Sequence, residues 1–251
     1  MNAVIVLEVG SRDAILGEDA IKNLFALPTM TEPPSVDWAE EDGVEIDEIT
    51  ATQVEEQKVA IPMYSRGIRN IFPDLLDNRT ILLVAGGIQF GEFRPVSVEN
   101  VQKWAGGWSA VLVCSRSEKP APTDNVRWES GLTILADVAS APIWVSPENK
   151  GIASVDDETG RYYFAGSRPY KAKYSLEVPV LIKAPTLPDL WTARNKLLSR
   201  LTARGLRAIP RFDGETLPVS GVYSSSTSRD VSADDDGYRW TIDITFTITK
   251  L

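Results

Sequence analysis

Histidine is missing from this sequence of 251 residues. Its absence removes the side chain that enzymes use most often as a general base and that metal sites use most often as a ligand. It also excludes nucleophiles that are activated as Ser–His or Cys–His pairs. We therefore expect a protein that is not an enzyme, and the sequence nominates no catalytic residue, no cofactor-binding residue and no metal ligand.

Cysteine is almost missing as well, because Cys114 is the only one. A single cysteine excludes an intrachain disulfide and any zinc site built from several cysteines. Cys114 lies in the alternating run AVLVCS, which predicts a thiol in the core. The alternative, a nucleophilic cysteine, would need an activating base that the composition does not supply.

Positive charge is in short supply, since 26 Lys and Arg stand against 35 Asp and Glu, giving a net charge of −9. Proteins that bind the phosphate backbone need clustered Lys and Arg, so this balance argues against nucleic acid as a specific ligand. With 43% hydrophobic and 24% charged residues, the composition is typical of a globular protein. The length suffices for two domains.

Long hydrophobic runs are also absent. The opening sequence MNAVIVLEVG has no basic start, and its apolar run is too short for the core of a signal peptide or for a membrane span. We interpret Ala3–Val9 as a strand. The expectation is synthesis in the cytoplasm and no membrane contact.

The clearest pattern that is present lies at the end of the chain, in YRWTIDITFTITK. Apolar and polar residues alternate there over about twelve residues, roughly twice the usual strand length. The apolar face carries Tyr238, Trp240, Ile242, Ile244, Phe246 and Ile248, and the polar face carries Arg239, Thr241, Asp243, Thr245, Thr247 and Thr249. This predicts a strand in a large sheet, with one face on a core and the other facing water or a partner.

Upstream patterns predict further elements. Helices are predicted in 17–27, in 69–78 around Pro73, and in 187–204, where Thr186 and Asp189 form a capping-box pattern. Strands are predicted at 44–49, 58–65, 80–87, 88–98, 107–115, 161–166, 174–184, 206–212 and 217–223. The segment SSSTSRDVSADDDG is predicted as a polar loop before the closing strand.

The order of these elements repeats. Both halves are predicted to contain a strand, a strand with a proline, a helix, two strands, a loop and a closing strand in that order, and Val59–Cys114 and Leu176–Thr249 would be the two copies. An internal duplication would explain this order, and so would chance resemblance between α+β segments. We predict an α+β fold, mainly β, with two antiparallel β-barrel or sandwich units, each with a packed helix. The units are residues 1–117, with an N-terminal extension, and 118–251, joined by the Pro-rich stretch 117–125.

Three further groups of residues are candidate sites. Glu40, Glu41, Asp42, Glu45, Asp47 and Glu48 could bind a cation, but the pattern favours a solvated loop and strand edge. Asp234–Gly237 lacks the spaced ligands of a calcium loop, so it predicts a hairpin turn. Gly86-Gly87 and Gly106-Gly107 also predict turns.

The tryptophans and the basic residues of a predicted helix are also candidates for binding. Trp38, Trp104, Trp108, Trp128, Trp144, Trp191 and Trp240 are scattered, which favours the core or a subunit interface over a sugar-binding row. The basic residues Arg194, Lys196, Arg200 and Arg204 of the predicted helix could bind an acidic partner or simply face solvent.

The stretch LPDLWTARNKLLSRLTARGLRAIPRFDGETLPVSGVYSSSTS, together with the closing YRWTIDITFTI, resembles the sheet-and-helix module of tail-tube, distal-tail and baseplate-hub proteins of long-tailed bacteriophages. The resemblance covers residues 170–250 and, more weakly, 40–116. It is carried by an order of elements and transfers no functional residue. It implies a structural protein of the virion tail that assembles as a ring, trimeric or hexameric, around a channel.

What the resemblance implies about partners follows from that ring. The neighbours would be other copies and other tail or baseplate proteins, and DNA would pass through as cargo without specific binding. Thr241, Asp243, Thr245 and Thr247 would be candidates for the channel lining. Two units per chain and the Pro-rich stretch favour an adaptor or hub at the tail end over the repeating tube subunit.

Two other hypotheses remain at this point. A β-rich binding module, for carbohydrate, predicts a row of exposed aromatic side chains on one sheet face. A hydrolase with paired carboxylates would need two acids converging about 5–10 Å apart, for which the sequence gives no sign.

Overall fold

The computed structural model describes residues 1–31, 35–36, 45–46, 54–118, 143–145, 154–156, 162–164, 174–202, 207–210 and 216–248. The strands are β1 Asn2–Val6, β2 Ser11–Leu16, β3 Ser35–Val36, β4 Glu45–Ile46, β5 Gln57–Arg66, β6 Ile81–Ala85, β7 Ile88–Trp104, β8 Gly107–Arg116, β9 Ile143–Val145, β10 Ser154–Asp156, β11 Tyr162–Phe164, β12 Tyr174–Ala184, β13 Arg207–Pro210, β14 Thr216–Asp234 and β15 Gly237–Ile248. The helices are α1 Ala20–Phe25, α2 Phe72–Leu76 and α3 Leu187–Leu201. The prediction of a mainly β protein with few helices is confirmed.

Six antiparallel strands of the first half close into a barrel in the order β1-β2-β5-β8-β7-β6. Closure depends on the opening strand, because β1 pairs with β2 on one side and with β6 on the other. Closing the sheet removes free edges that would otherwise invite pairing with other chains. The predicted strand at the start of the chain thus completes the barrel.

The interior of the barrel is filled by alternating residues of its strands. Inward and outward side chains alternate along most of these strands, as the period of two requires. In β7 an irregularity between Gln89 and Glu92 interrupts the alternation, so that Phe90 and Phe93 are both buried. The buried inward set includes Ala3, Ile5, Ala14, Leu16, Val59, Ile61, Met63, Ile81, Leu83, Ala85, Phe90, Phe93, Ala110, Leu112 and Cys114. The predicted core position of Cys114 is confirmed.

The second half forms a five-stranded sheet in the order β13-β14-β15-β12-β9. Its centre is the predicted closing strand β15, which pairs with β12 from Ala184–Tyr238 to Tyr174–Ile248. On β15, the side chains of Trp240, Ile242, Ile244, Phe246 and Ile248 are fully buried. The predicted apolar face of this strand is confirmed.

The Ser-rich stretch between the last two strands was predicted as a loop, and this was wrong. β14 continues through it to Asp234 and pairs with β15 down to the Asp234–Gly237 turn. Serine and threonine hydroxyls on their own indicate a loop, but here the neighbouring β15 supplies backbone partners along the whole length. The pairing contains two register shifts, between Tyr223 and Ser225 and between Ser228 and Asp230.

Helix α3 begins where the capping pattern placed it. The Thr186 Oγ1 accepts a hydrogen bond from the Asp189 backbone N–H at 3.2 Å, and a proline stands in the first turn. The helix ends at Leu201, whereas 187–204 was predicted, and Gly205 lies outside the described residues. Its buried stripe, made by Leu187, Leu190, Leu197, Leu198 and Leu201, packs on β12 and β15.

The two halves share one pairing order. Along the chain, each half contains a strand, a helix and three further strands. In the sheets, the strands of the first half lie in the order β5-β8-β7-β6, and those of the second half lie in the order β12-β15-β14-β13. The sixth residue of the first strand is a proline in both, Pro62 and Pro179. The helices of the two sets, α2 and α3, each have a proline in the first turn. The pairing of the third strand with the closing strand, β7 with β8 and β14 with β15, contains two register shifts in each set.

The remaining short elements agree with the sequence where they are described. β10 and β11 pair as an antiparallel hairpin, and Gly86-Gly87 forms the turn between β6 and β7. Of the predicted strand 44–49, only Glu45–Ile46 is described. The domain boundary at 117/118 stays a prediction. No helix in the part of the chain described here is long and apolar enough to span a membrane.

Candidate functional site

Two arginines converge on the carbonyl groups at the end of α1. Arg116, the last residue of β8, donates to the Leu24 and Ala26 carbonyls, both at 2.9 Å. Arg194, from the middle of α3, donates to the Phe25 carbonyl at 3.2 Å and to the Ala26 carbonyl at 2.7 Å. The last carbonyls of a helix lack partners within it and carry partial negative charge, so guanidinium groups suit this position.

Glu118 bridges these two arginines. Its carboxylate makes a bidentate ion pair with Arg194, with N–O distances of 2.6 and 2.7 Å. The Nε of Arg116 lies 2.7 Å from Glu118 Oε1, although without hydrogen-bond alignment. Bidentate pairing fixes both side chains in direction as well as distance. We refer to Arg116, Glu118 and Arg194 as the junction triad.

The junction triad is shielded from water. The side chains of Arg194 and Arg116 are only 1% and 3% exposed, and that of Glu118 is 15% exposed. Burial lowers the pKa of Arg116, the charge of Arg194 lowers it further, and Glu118 opposes both effects. The interpretation of Arg194 as part of a solvated basic helix face was wrong, because this side chain points into the junction instead.

Aromatic packing surrounds the same junction. Phe25 of α1 stacks edge-to-face with Trp191 of α3, at 5.2 Å between ring centroids, and with Trp240 of β15, at 5.8 Å. Phe90 of β7 packs on Trp191 at 4.9 Å. Such pairs stabilise beyond the area that they bury. Residues of the barrel strand β7, of α1, of α3 and of the C-terminal sheet thus share one apolar cluster.

The segment after α1 extends the contact to β14. The Tyr223 hydroxyl donates to the Pro28 carbonyl at 2.7 Å, and the Met30 N–H donates to the Ser224 carbonyl at 2.8 Å. Burial raises the pKa of Tyr223. The junction therefore joins the barrel to the C-terminal sheet through backbone as well as side-chain contacts.

The polar face of β15 carries a second ion pair. The Arg229 Nε donates to Asp243 Oδ2, and Arg229 Nη2 lies 3.8 Å from Glu177. Asp243 is 5% exposed, and its Oδ1 is buried without a hydrogen-bond partner among the described residues. Arg229, on the neighbouring strand β14, is the extra residue in the register shift between Ser228 and Asp230.

This face is less open than the sequence predicted. Asp243 and Thr247 are buried, and Thr241 and Thr245 are partly buried. The expectation that all four residues face an open channel is therefore corrected for the two buried residues.

The end of the barrel opposite the junction carries exposed apolar side chains. We call it the distal end, and it comprises the β1–β2 turn (7–10), the segment between β5 and β6 (67–80) and the tip of the β7–β8 hairpin (103–108). These parts touch one another, since the Trp108 indole donates to the Ile68 carbonyl at 3.1 Å and the Arg79 N–H donates to Glu8 at 3.3 Å. Ile68 and Val9 are 94% and 86% exposed.

Among the described residues, the other candidate sites predicted from the sequence do not bring reactive or metal-binding side chains together. Cys114 is buried, and burial raises the pKa of its thiol to about 12. No three His, Cys, Asp or Glu side chains among the described residues are grouped to hold a metal ion. Of the acidic group at 40–48, only Glu45 lies within a described strand.

The tryptophans divide between core and surface. Trp240 is fully buried and Trp191 packs against the core, whereas Trp104 is 45% exposed. Trp38 and Trp128 lie outside the described residues, and for Trp144 only the backbone is described. Among aromatic side chains whose burial is described, Tyr64 and Trp104 are the exposed ones, and they stand on different strands.

Comparisons with protein-family models, with curated proteins and with solved structures found no match to this chain.

The junction triad was missed by the sequence reasoning. Arg194 and Glu118 are 76 residues apart, and Arg194 and Phe25 are 169 apart. The available signal was weak, namely an arginine within the apolar stripe of a predicted helix. Arg194 stands one position after Ala193 and three before Leu197, a place that faces the core side.

Proposed function

We propose that this protein is a structural assembly protein of a phage tail or tail-like particle, which forms a ring around a channel at the tail end. The observation that carries the proposal is the shared pairing order of the two halves, β5-β8-β7-β6 and β12-β15-β14-β13. This order matches an internal duplication of the module that the sequence resembles. Prolines at equivalent positions, Pro62 and Pro179, support the duplication further.

Two fused units per chain have a geometric consequence. Three chains would supply six units and so match a sixfold tube, whereas one unit per chain would require six chains. A chain of this kind fits an adaptor or hub between a tube and its neighbours. Its partners are other copies of itself and adjacent tail or baseplate proteins, and its place is the virion tail after synthesis in the host cytoplasm.

The charge of the chain suits a channel through which DNA passes. A net charge of −9 repels the phosphate backbone and offers few binding groups. Because Asp243 and Thr247 are buried, we propose that only Thr241 and Thr245 of this polar face, which are partly exposed, line the channel. Hydroxyl side chains there would present neither a cation for phosphate nor an apolar surface.

The experiment that tests the proposal combines light scattering at high protein concentration with negative-stain imaging of the same sample. Rings of three subunits around a channel are expected, and six subunits would instead indicate a tube-like count. A strict monomer at every concentration, with no ring in the images, would contradict assembly of the isolated chain. The competing hypothesis of a carbohydrate-binding module would then be tested by glycan-array binding, with Trp104→Ala and Tyr64→Ala as variants.

A further inference from the structure

A groove of about 520 Å³ lies on the outer wall of the barrel. Three neighbouring strands, β1, β2 and β5, form it, and most of the side chains that line it point away from the barrel core. These side chains are Asn2 and Val4 of β1, Asp13 and Ile15 of β2, and Tyr64 and Arg66 of β5. The volume falls within the range of about 300–1,000 Å³ that is usual for small-molecule sites.

The groove lies where the pairing of β2 with β5 stops. Within the described residues these two strands pair at only two positions, and the outer pair is Ile15 with Tyr64. By contrast, β5 pairs with β8 along its whole length. Asp13 and Arg66 each stand two residues beyond the outer pair, where the strands are no longer joined. The gap in the ladder therefore leaves space between an acidic and a basic side chain.

The phenol ring of Tyr64 forms one side of the groove and is supported by a glycine. The ring lies so close to Gly17 that a Cβ on this residue would be 2.9 Å from Tyr64 Cε2. Because no side chain intervenes, the ring rests on the Gly17 backbone, while Tyr64 remains 41% exposed. An aromatic ring held in this way offers a flat apolar surface to a ligand.

Polar groups of different kinds surround this ring. The Asp13 carboxylate accepts hydrogen bonds, the Arg66 guanidinium donates them, and the Asn2 amide does both. All three residues are exposed, and within the described part of the chain none of their side chains makes a hydrogen bond or an ion pair. Exposed charges are common on protein surfaces, but Asp13 and Arg66 line one groove and their charges cancel. A ligand can bind them without breaking a contact inside the protein.

The lining distinguishes between classes of ligand. An apolar ligand would remove water from Asp13 and Arg66 without replacing their hydrogen bonds, which costs free energy. A ligand with a net charge would be attracted by one of these side chains and repelled by the other. An uncharged pyranose ring avoids both costs, because hydroxyl groups surround its rim and C–H groups cover its face. Diagonal neighbours on two strands, such as Tyr64 and Asp13, are about 7–8 Å apart, a distance that one such ring spans with its hydroxyls.

We propose that this groove binds a neutral pyranose unit of a glycan. The C–H face of the sugar lies on Tyr64, one hydroxyl donates to Asp13 and another accepts from Arg66. A single subsite of this kind differs from the row of exposed aromatic side chains that a carbohydrate-binding module would present. The inference goes beyond ring assembly and does not require it, since all the lining residues belong to one barrel.

Saturation-transfer NMR on the full chain tests the site. The probes are the methyl pyranosides of glucose, galactose, mannose and N-acetylglucosamine, at up to about 10 mM to detect the weak binding of one sugar ring. At least one probe is expected to bind, with the strongest saturation on its ring C–H protons. Tyr64→Ala and Asp13→Asn are each expected to weaken that binding at least about tenfold, because each removes one side of the contact.

Two further variants separate the groove from other causes of weaker binding. Trp104→Ala is the matched control, since Trp104 is 45% exposed and lies outside the groove, and it should bind as the unchanged chain does. Gly17→Ala keeps every lining residue but displaces the Tyr64 ring, so it is expected to weaken binding as well. Circular dichroism confirms that each variant is folded.

Several results would overturn the inference. They are the absence of binding for all four sugars, binding that survives both Tyr64→Ala and Asp13→Asn, and binding that is lost in Trp104→Ala. Tighter binding of the zwitterion glycylglycine than of every sugar would overturn the class of ligand. None of these results bears on ring formation, which light scattering and imaging test separately.

Discussion

Arg194 and Glu118 form a bidentate ion pair across 76 residues of sequence, with N–O distances of 2.6 and 2.7 Å. The pair holds α3 against the end of the barrel, and Arg116 shares the same carboxylate. Removing one partner of a buried pair leaves an uncompensated charge, which costs more than the pair contributes when intact. The junction between the barrel and the C-terminal sheet therefore depends on Glu118.

Replacing Glu118 by Ala is expected to lower the free energy of unfolding by about 3–5 kcal/mol, because two buried guanidinium groups lose their carboxylate. Urea denaturation measures this change. The control is Glu56→Ala, which removes a pair with Arg94 in which both side chains are more than half exposed. That change should cost at most about 1 kcal/mol, and equal losses in the two variants would contradict the role given to the junction triad.

Stability is expected to fall in alkaline solution because of Cys114. The thiol has a pKa of about 12 in the folded protein and an ordinary value of 9.0 otherwise, so it ionises first in the unfolded chain. Its contribution is intact below pH 9 and is lost as the pH rises from 9 towards 12, by about 1.4 kcal/mol per pH unit. Cys114→Ala should flatten this dependence in urea denaturation.

Above pH 10 unfolded Tyr223 would ionise while burial keeps the folded phenol neutral, which lowers stability further, whereas the lowered pKa of Arg116 acts in the opposite sense. The difference between the unchanged chain and Cys114→Ala therefore isolates the effect of the thiol. A thiol reagent provides an independent check, since native Cys114 should react only after unfolding. Rapid labelling of the native protein at pH 8 would show that the thiol is accessible.

Replacing Gly107 by Ala is expected to disrupt the barrel, because the new Cβ would overlap the Ser65 carbonyl oxygen. The clash is with backbone, so β5 and β8 must separate, and we expect a loss of at least about 3 kcal/mol. Gly91→Ala is the matched comparison, since no atom lies within 4 Å of its added Cβ and only its left-handed backbone angle is strained. It should cost about 1–2 kcal/mol, measured for both by thermal and urea denaturation.

The pair of Arg229 with Asp243 is testable by a double-mutant cycle. Arg229→Ala leaves the buried Asp243 carboxylate with fewer partners, and we expect a loss of about 1–2 kcal/mol, reduced by the exposure of Arg229. Adding Asp243→Asn should recover part of that loss because the amide carries no charge. Glu177→Gln, the more distant partner at 3.8 Å, should change stability little. Strict additivity of the two substitutions would rule out their coupling.

Local patterns in the sequence predicted most elements of the fold. Alternation indicated β5, β12 and β15, because side chains on a strand point to opposite faces in turn. The Thr186–Asp189 pattern placed the start of α3, since the cap is formed by residues three apart. The burial of Cys114 also followed from its place in an alternating apolar run.

Local patterns could not predict which strands pair when they are far apart in the sequence. The segment SSSTSRDVSAD carries few apolar residues, and its strand conformation depends on backbone bonds to β15. The closure of the barrel depends on β1 reaching β6, nearly eighty residues further along the chain. No pattern of neighbouring residues identifies the distant strand with which a strand will pair.

By itself, therefore, the sequence determined the local elements, the absence of histidine chemistry, the acidic charge and the two-faced character of the final strand. These depend on residue types and on spacings of a few residues, which the chain carries wherever it folds. Only the tertiary structure decided that Arg116 and Arg194 share Glu118 at the end of α1, and that Val9, Ile68 and Trp104 gather at one end of the barrel. The physical reason is that burial and charge pairing depend on distances in space between residues far apart in sequence.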